Sequence, residues 1–248
     1  MEIIRTTITI LAIALASPCN AQGAQVLDET ALKQQADVMR KAWKLQPDKP
    51  IAMTIPLFGR VLRVNLPVGF IQAHQAQSPR GFISEFVPDG DKIDSWTRLF
   101  TITSSPGIGS FQMVDAALAT AIVGGSSGCS GTHTFKVLKS ATVVGGATGV
   151  ITDKRCTGVA SGSYLSAVEG TEEHAIIAFL RDSNSIFTVQ LARRGKANGD
   201  GAPLISAAET DNFIAQLTPL FLCEAASALP ACKEVLLMNR FRADGAKP

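Results

Sequence analysis

The residues with the best claim to chemistry lie in Gly124-Gly125-Ser126-Ser127-Gly128, which has the G-x-S-x-G form of a nucleophile elbow. His174 follows, with Asp153 and Glu169 between them. Such a motif exposes a serine oxygen on a sharp turn from a strand into a helix, where a histidine takes its proton and backbone N–H groups hold the oxyanion. Around Ser126 the order is inverted, because the alanine-rich stretch before it reads as a helix and the stretch after it as strands. A glycine-serine loop meets the pattern readily without catalysis. A serine hydrolase using Ser126 and His174 is therefore an alternative reading, not the leading one.

Metal chemistry needs clustered ligands. Cys129 and His133, with Cys156 further along, are the nearest to a zinc set. His74 and His174 have no cysteine or carboxylate at ligand spacing and read as surface histidines. Asp89-Gly90-Asp91 with Asp94 resembles the start of a calcium loop, but glycine stands second instead of sixth and Phe100 occupies the twelfth position, so it reads as a turn. Gly107-Ile108-Gly109 and Gly145-Gly146-Ala147-Thr148-Gly149 lack a phosphate-loop lysine and the glycine register of a dinucleotide site. No metal and no cofactor is expected.

Of five cysteines, Cys19 falls in the N-terminal segment, leaving Cys129, Cys156, Cys223 and Cys232. An even number in an exported chain points to disulfides. Three pairings are open, of which Cys129 with Cys156 and Cys223 with Cys232 are favoured because each closes a local loop. That pairing removes the thiolates a zinc site would need.

The elements that must position these residues alternate clearly. Asp28 to Trp43 is free of Pro and Gly and carries Leu32, Val38, Met39 and Trp43 at helical spacing. Ile51 to Leu57 and Val61 to Leu66 read as a hairpin across Phe58-Gly59-Arg60. A polar loop with Gln72, His74, Gln75 and Gln77 follows, then strands over Gly81 to Val87 and Leu99 to Thr103, separated by a helical turn at Ile93 to Trp96. Phe111 to Val123 reads as a helix burying Met113, Leu118 and Ile122, and Gly124 to Gly131 as a loop.

Strands return at Phe135 to Leu138, Ala141 to Val144 and Gly149 to Lys154, with Tyr164 to Val168 as a further candidate. The clearest hairpin joins Ala175 to Leu180 and Ile186 to Ala192. Ser206 to Glu209 is a capping box for a helix that buries Phe213, Ile214 and Leu217. Pro219 would restart that helix, placing Cys223 near its end. The pattern predicts an α+β fold, a mainly antiparallel sheet with helices packed on it.

Near the start, Arg5 precedes an apolar run from Ile8 to Ala16 and then Ser17-Pro18-Cys19-Asn20-Ala21. That is the make-up of a signal peptide cut after Ala21, with Ala24 a second candidate cut and Cys19 a candidate for acylation that the adjacent Pro18 disfavours. Residues 1–21 are thus expected to be a leader, 22–50 an N-terminal helix and linker, 51–239 one α+β domain, and 240–248 a loose tail. Of 248 residues about 227 would remain, enough for a substantial core. The balance of 23 basic and 21 acidic residues, +2 overall, implies no nucleic-acid partner. The densest basic cluster, Arg193, Arg194 and Lys196, reads as a solvated strand end.

Leu66-Pro67-Val68-Gly69-Phe70, Glu85-Phe86-Val87-Pro88 and Trp96-Thr97-Arg98-Leu99 together resemble uncharacterised exported proteobacterial proteins and, more loosely, the PsbP-like fold, over residues 51 to 195. The resemblance implies an antiparallel sheet flanked by helices, used for binding and assembly, and carries over no functional residue. The leading expectation is a periplasmic or secreted, non-enzymatic protein that binds an unknown protein or small-molecule partner or supports an envelope assembly. Its surface would be the sheet face or the Gln-rich stretch from Gln72 to Arg80, with Phe70, Phe82 and Trp96 nearby, although core packing is the commoner fate of such aromatics. A small-ligand carrier is the further alternative.

Overall fold

The computed structural model describes residues 25–126, 129–158, 171–196, 201–224, 229–230 and 232–233, together with the backbone of 9–11. Tyr164 to Val168, the tail from 240, Cys19, Ala21 and Ala24 lie outside the described residues. In chain order the strands are β1 (Thr9–Leu11), β2 (Gln25–Val26), β3 (Ile51–Leu57), β4 (Arg60–Leu66), β5 (Phe70–Ser78), β6 (Gly81–Pro88), β7 (Arg98–Pro106), β8 (His133–Ser140), β9 (Val143–Val144), β10 (Thr148–Thr157), β11 (Thr171–Arg181), β12 (Ser185–Lys196) and β13 (Leu220–Glu224). The helices are α1 (Glu29–Leu45), α2 (Asp115–Val123) and α3 (Ala207–Leu217). The fold is α+β, as the alternation of the sequence indicates.

Eight strands form one antiparallel sheet in the order β2-β5-β6-β7-β12-β11-β10-β8, and five form a smaller one in the order β1-β3-β4-β13-β9. In the small sheet β1 joins β3 and β9 joins β13 in parallel, while β3, β4 and β13 pair antiparallel. The β3–β4 hairpin turns on Phe58 and Gly59, both at positive φ (48° and 79°), the two-residue geometry whose twist matches its strands.

One face of the large sheet is buried against the small sheet, α1 and α3. Phe100, Ile102 and Phe187 meet Leu62, Leu66 and Leu222 there, all essentially inaccessible, and each such side chain contributes about 1.5–3 kcal/mol by leaving water. Asp28 caps α1 by accepting from the Ala31 N–H at 2.8 Å. The helix then buries Ala36, Met39, Ala42 and Trp43, and the Trp43 indole donates to the Phe70 carbonyl at 3.0 Å. α1 therefore belongs to the same core as the strands that follow it. The predicted capping box is present: Ser206 Oγ accepts from the Glu209 N–H, Glu209 accepts from the Ser206 N–H, and α3 buries Phe213, Ile214 and Leu217.

The opposite face is covered only in part. α2 lays Leu118 and Ala119 on Val150, Phe179 and Ile186, and the turn before β7 lays Trp96 on Leu99 and Ala192.

Several elements depart from the expectations. The Gln-rich segment is strand β5 and not a loop, because antiparallel pairing with β6 satisfies its backbone whatever its side chains, and a bulge between Gln72 and His74 absorbs the irregularity. Pro219 leads into strand β13 instead of restarting a helix. Leu220 and Leu222 are needed in the core, and β13 closes the edge that β4 would otherwise leave bare. The helix expected from Phe111 begins at Asp115, and Met113 and Ile122 are both 41% exposed while Leu118 and Ala119 carry the contact. Ile93 to Trp96 is a turn with no helix.

Both favoured cysteine pairs are joined. Cys129–Cys156 and Cys223–Cys232 each have Cα atoms 5.6 Å apart, within the range a disulfide requires.

Candidate functional site

Side chains of a strand alternate between the faces of a sheet, so register decides which candidates can meet. His174 on β11 opposes Arg155 on β10, and both point to the core-side face. The histidine is 1% exposed, which corrects the surface reading. Its Nδ1 accepts from the Ile205 N–H at 2.9 Å, and Nε2 lies 3.1 Å from Asp153 Oδ1, so Nε2 carries the proton. Arg155 beside it pairs with the buried Glu172 at 3.0 Å and donates to the Gly201 carbonyl, while Arg193 donates to the Leu204 carbonyl and pairs with Glu209. These side chains clamp residues 201–206 onto the sheet and so set where α3 begins.

Ser126 is exposed, and its neighbour Gly125 lines a cleft on the other face, over Lys154 and Ala175. The sheet stands between that cleft and His174, whose nitrogens are both occupied. The geometry therefore does not assemble the serine–histidine pair that the motif suggests; Ser127 and Gly128 lie outside the described residues. Cys129 and Cys156 are consumed by their disulfide, which leaves His133 without a thiolate beside it.

The partly covered face holds a different constellation. One register row crosses it: His74 on β5 opposes Glu85 on β6, Glu85 opposes Thr101 on β7, Thr101 opposes Gln190 on β12, and Gln190 opposes Ile177 on β11. Directly opposed side chains have Cβ atoms about 4.5–5.5 Å apart, so this is a continuous polar stripe. Thr101 is 6% exposed and its Oγ1 has no hydrogen-bond partner among the described residues. A buried hydroxyl left unpaired costs about 1–3 kcal/mol. Burial pushes the Glu85 carboxyl above its ordinary range, opposed by the charge of His74. One row along, Thr103 and Thr188 share a 2.6 Å hydrogen bond beneath the half-exposed Ile83.

At the Gln190 end the stripe opens into a cleft of about 180 Å³ lined by Ile122 and Val123 at the end of α2 and Gly125 beyond it, by Lys154 and Cys156 on β10, and by Glu173, Ala175 and Ile177 on β11. Burial holds the Lys154 ammonium below its ordinary pKa, and Glu173 opposes that shift. Glu173 is itself bonded to Arg194 at 2.6 Å, and that guanidinium lies 4.3 Å from the ring centre of Trp96. Arg194 is thus largely packed against Trp96 and Glu173 and not solvated, whereas Lys196 of the same basic cluster is exposed at the strand end.

Two other hollows are less specific. A groove of about 620 Å³ runs along Gly109 to Val114 and Arg181 to Ser183, and it exposes Phe111 and Val114. Its charges are already matched, Arg181 with Asp115 at 2.8 Å and Asp182 with Arg60 at 2.7 Å. A shallower hollow of about 310 Å³ has Arg98, Arg193 and Arg194 in its wall, the last two held by Glu209 and Glu173.

None of Lys154, Glu173, Gln190, Thr101 or Glu85 was a candidate from sequence. Thr101 and Gln190 are polar residues between apolar neighbours, Glu85 has an apolar neighbour on one side, and Lys154 and Glu173 stand among other charged residues. Only the register puts Glu85, Thr101 and Gln190 in one row and all five on one face. Among the described residues no helix is long and apolar enough to cross a membrane, and no group of three or more metal-ligating side chains gathers. Comparison of the sequence with protein families and with curated proteins finds no match.

Proposed function

We propose that the chain is an exported, non-enzymatic binding protein of the cell envelope, periplasmic or secreted, whose working surface is the partly covered face of the eight-stranded sheet. The observation that carries this reading is the polar row from His74 to Gln190, half-buried and ending in a cleft, with the Thr101 hydroxyl buried and unpartnered among the described residues. A face that only had to pack would hold apolar residues there, and one that only had to be wet would not be roofed by α2 and Trp96. Such a mixture of apolar walls and a few convergent polar groups is what a binding site requires. Two disulfides suit an oxidising compartment, and the leader-like residues before Ala21 supply the route. The resemblance of the segments between Leu66 and Leu99 to uncharacterised exported proteobacterial proteins, and more loosely to the PsbP-like fold, supports the same reading.

The reading is tested by affinity capture from an envelope extract with the wild-type chain and with Thr103→Arg and Ile83→Arg, which fill the open face without touching the main core. Capture that both variants abolish, with their melting temperatures unchanged, supports it. Capture indifferent to both, or the absence of any specific partner, overturns it. Labelling of Ser126 by a fluorophosphonate, lost in Ser126→Ala, would instead establish the hydrolase alternative. The small-ligand form of the binding reading is favoured by the cleft beside Lys154.

A further inference from the structure

We propose that the cleft beside Lys154 binds a small amphipathic carboxylate, with the acid on the Lys154 ammonium and the apolar chain against Ile122, Val123 and Ile177. The inference rests on the binding reading above and names its ligand class.

Lys154 stands in a row of otherwise uncharged residues, opposite Ala175 on one side and Phe135 on the other. Its side chain is only partly exposed, and it has no hydrogen bond or ion pair among the described residues. A half-buried ammonium without a direct ion pair is a cost the fold could avoid with methionine or leucine at the same place. The carboxylate that could serve it, Glu173, is drawn away by Arg194 at 2.6 Å. Lys154 and Glu173 line the cleft and Arg194, bonded to Glu173, stands outside its lining, so the three groups together carry two positive charges and one negative. Arg194 Nε is also buried without a hydrogen-bond partner among the described residues. One negative charge would balance the set.

The rest of the lining selects among anions. Ile122, Val123, Ala175 and Ile177 are apolar, the Cys156 sulfur is nearly so, and Gln190 offers an amide that can donate to a second carboxylate oxygen. A phosphate dianion would reverse the imbalance and gain little from these walls. A monocarboxylate with a short hydrocarbon chain uses both. The volume of about 180 Å³ lies below the ~300 Å³ at which pockets for drug-sized molecules begin, which suits a ligand of small size. Burial already depresses the Lys154 pKa, and a bound carboxylate would raise it again.

The test uses the full chain and sodium hexanoate as probe, with hexanol and hexylamine as controls, followed by amide shifts in two-dimensional NMR. Hexanoate is expected to move the amides of Lys154, Ala175, Ile177 and Gln190. Its affinity should fall tenfold or more in Lys154→Met, and hexanol should bind wild type no better than hexanoate binds that variant. Because Lys154→Met removes a poorly solvated charge, it should melt no lower than wild type, so lost binding cannot be ascribed to unfolding. Lys136→Met, on the opposite side of the neighbouring strand, should leave the affinity unchanged.

The proposal is overturned if hexanol matches hexanoate, if Lys154→Met binds as well as wild type, or if the shifts gather on Thr97, Arg98 and Leu204 at the arginine hollow. Any of these results together with capture that Thr103→Arg abolishes would remove the carboxylate while leaving the binding face in place.

Discussion

Glu85 and His174 are both polar residues on strands of one sheet, yet their surroundings assign them opposite duties. Glu85 lies on the partly covered face with its carboxyl raised by burial, so the folded chain holds that proton more tightly than the unfolded chain does. An unfolded glutamate ionises near pH 4.3. The stabilisation is full below that value and is lost as pH rises through the higher folded one. Glu85→Gln should therefore melt like wild type at acid pH and above it at neutral pH, which paired thermal scans across pH 3 to 7 would reveal. A wild type more stable than the variant at pH 7 would instead mean that the carboxylate has found a counter-charge. His174, on the other face, has both nitrogens engaged by Asp153 and Ile205. His174→Ala leaves the Ile205 N–H buried and unmatched, at a cost of about 1–3 kcal/mol beyond the lost packing. Urea unfolding measures the total. Faster hydrogen exchange at the Ile205 amide would locate it, whereas a catalytic histidine would show no such local loosening.

Elements were legible wherever one physical signal dominated. In the β11–β12 hairpin a continuous apolar run from Ala175 to Leu180 meets Phe187, Val189 and Leu191 alternating with Thr188 and Gln190 across a polar turn. α3 carries a capping box, and α1 is amphipathic with an aspartate cap, so each follows from its own residues. The misses come where a long-range partner decides. Gln72 to Gln77 carries little apolar patterning and becomes β5 because the β6 edge requires pairing, and Leu220 to Glu224 becomes β13 because β4 and β9 flank it. The candidate face was invisible for the same reason: Glu85, Thr101 and Gln190 are 16 and 89 residues apart in sequence and meet only through register. Gly145 shows how closely such partners fit. It has φ of 119° and faces the Leu222 carbonyl of β13, so a side chain there meets backbone and not space. Gly145→Ala should cost about 1–3 kcal/mol, read as a lowered denaturant midpoint, through strain at the junction of β9, β10 and β13.

At the scale of the whole molecule the two disulfides brace opposite sides of the large sheet. Cys223–Cys232 ties β13 on the core side, and both of its residues are 0% exposed. Cys129–Cys156 ties the segment after α2 to β10, with Cys129 half-exposed, and its Cys156 end lines the cleft. Thiolate attack needs access to a sulfur, so mild reductant should open Cys129–Cys156 first. Mass spectrometry of alkylated thiols would show two labels, on Cys129 and Cys156, before any on Cys223 or Cys232. The stability cost runs in the same order by chain entropy, because the bridges span 27 and 9 residues: about 3.5 kcal/mol against about 2.6. Once Cys129 is free, the chain after α2 is still tied to the end of β10 by the backbone bonds of Ser130 and Thr132. It loses the covalent tie nearest α2, however, and Ile122 and Val123 are held less closely to Lys154. Cys129→Ser with Cys156→Ser should therefore lower the urea midpoint and weaken hexanoate binding together. Cys223→Ser with Cys232→Ser should lower the midpoint and leave binding by the remaining folded fraction intact. Equal loss of binding in both pairs would show that the cleft depends on the molecule as a whole and not on the wall that Cys156 holds.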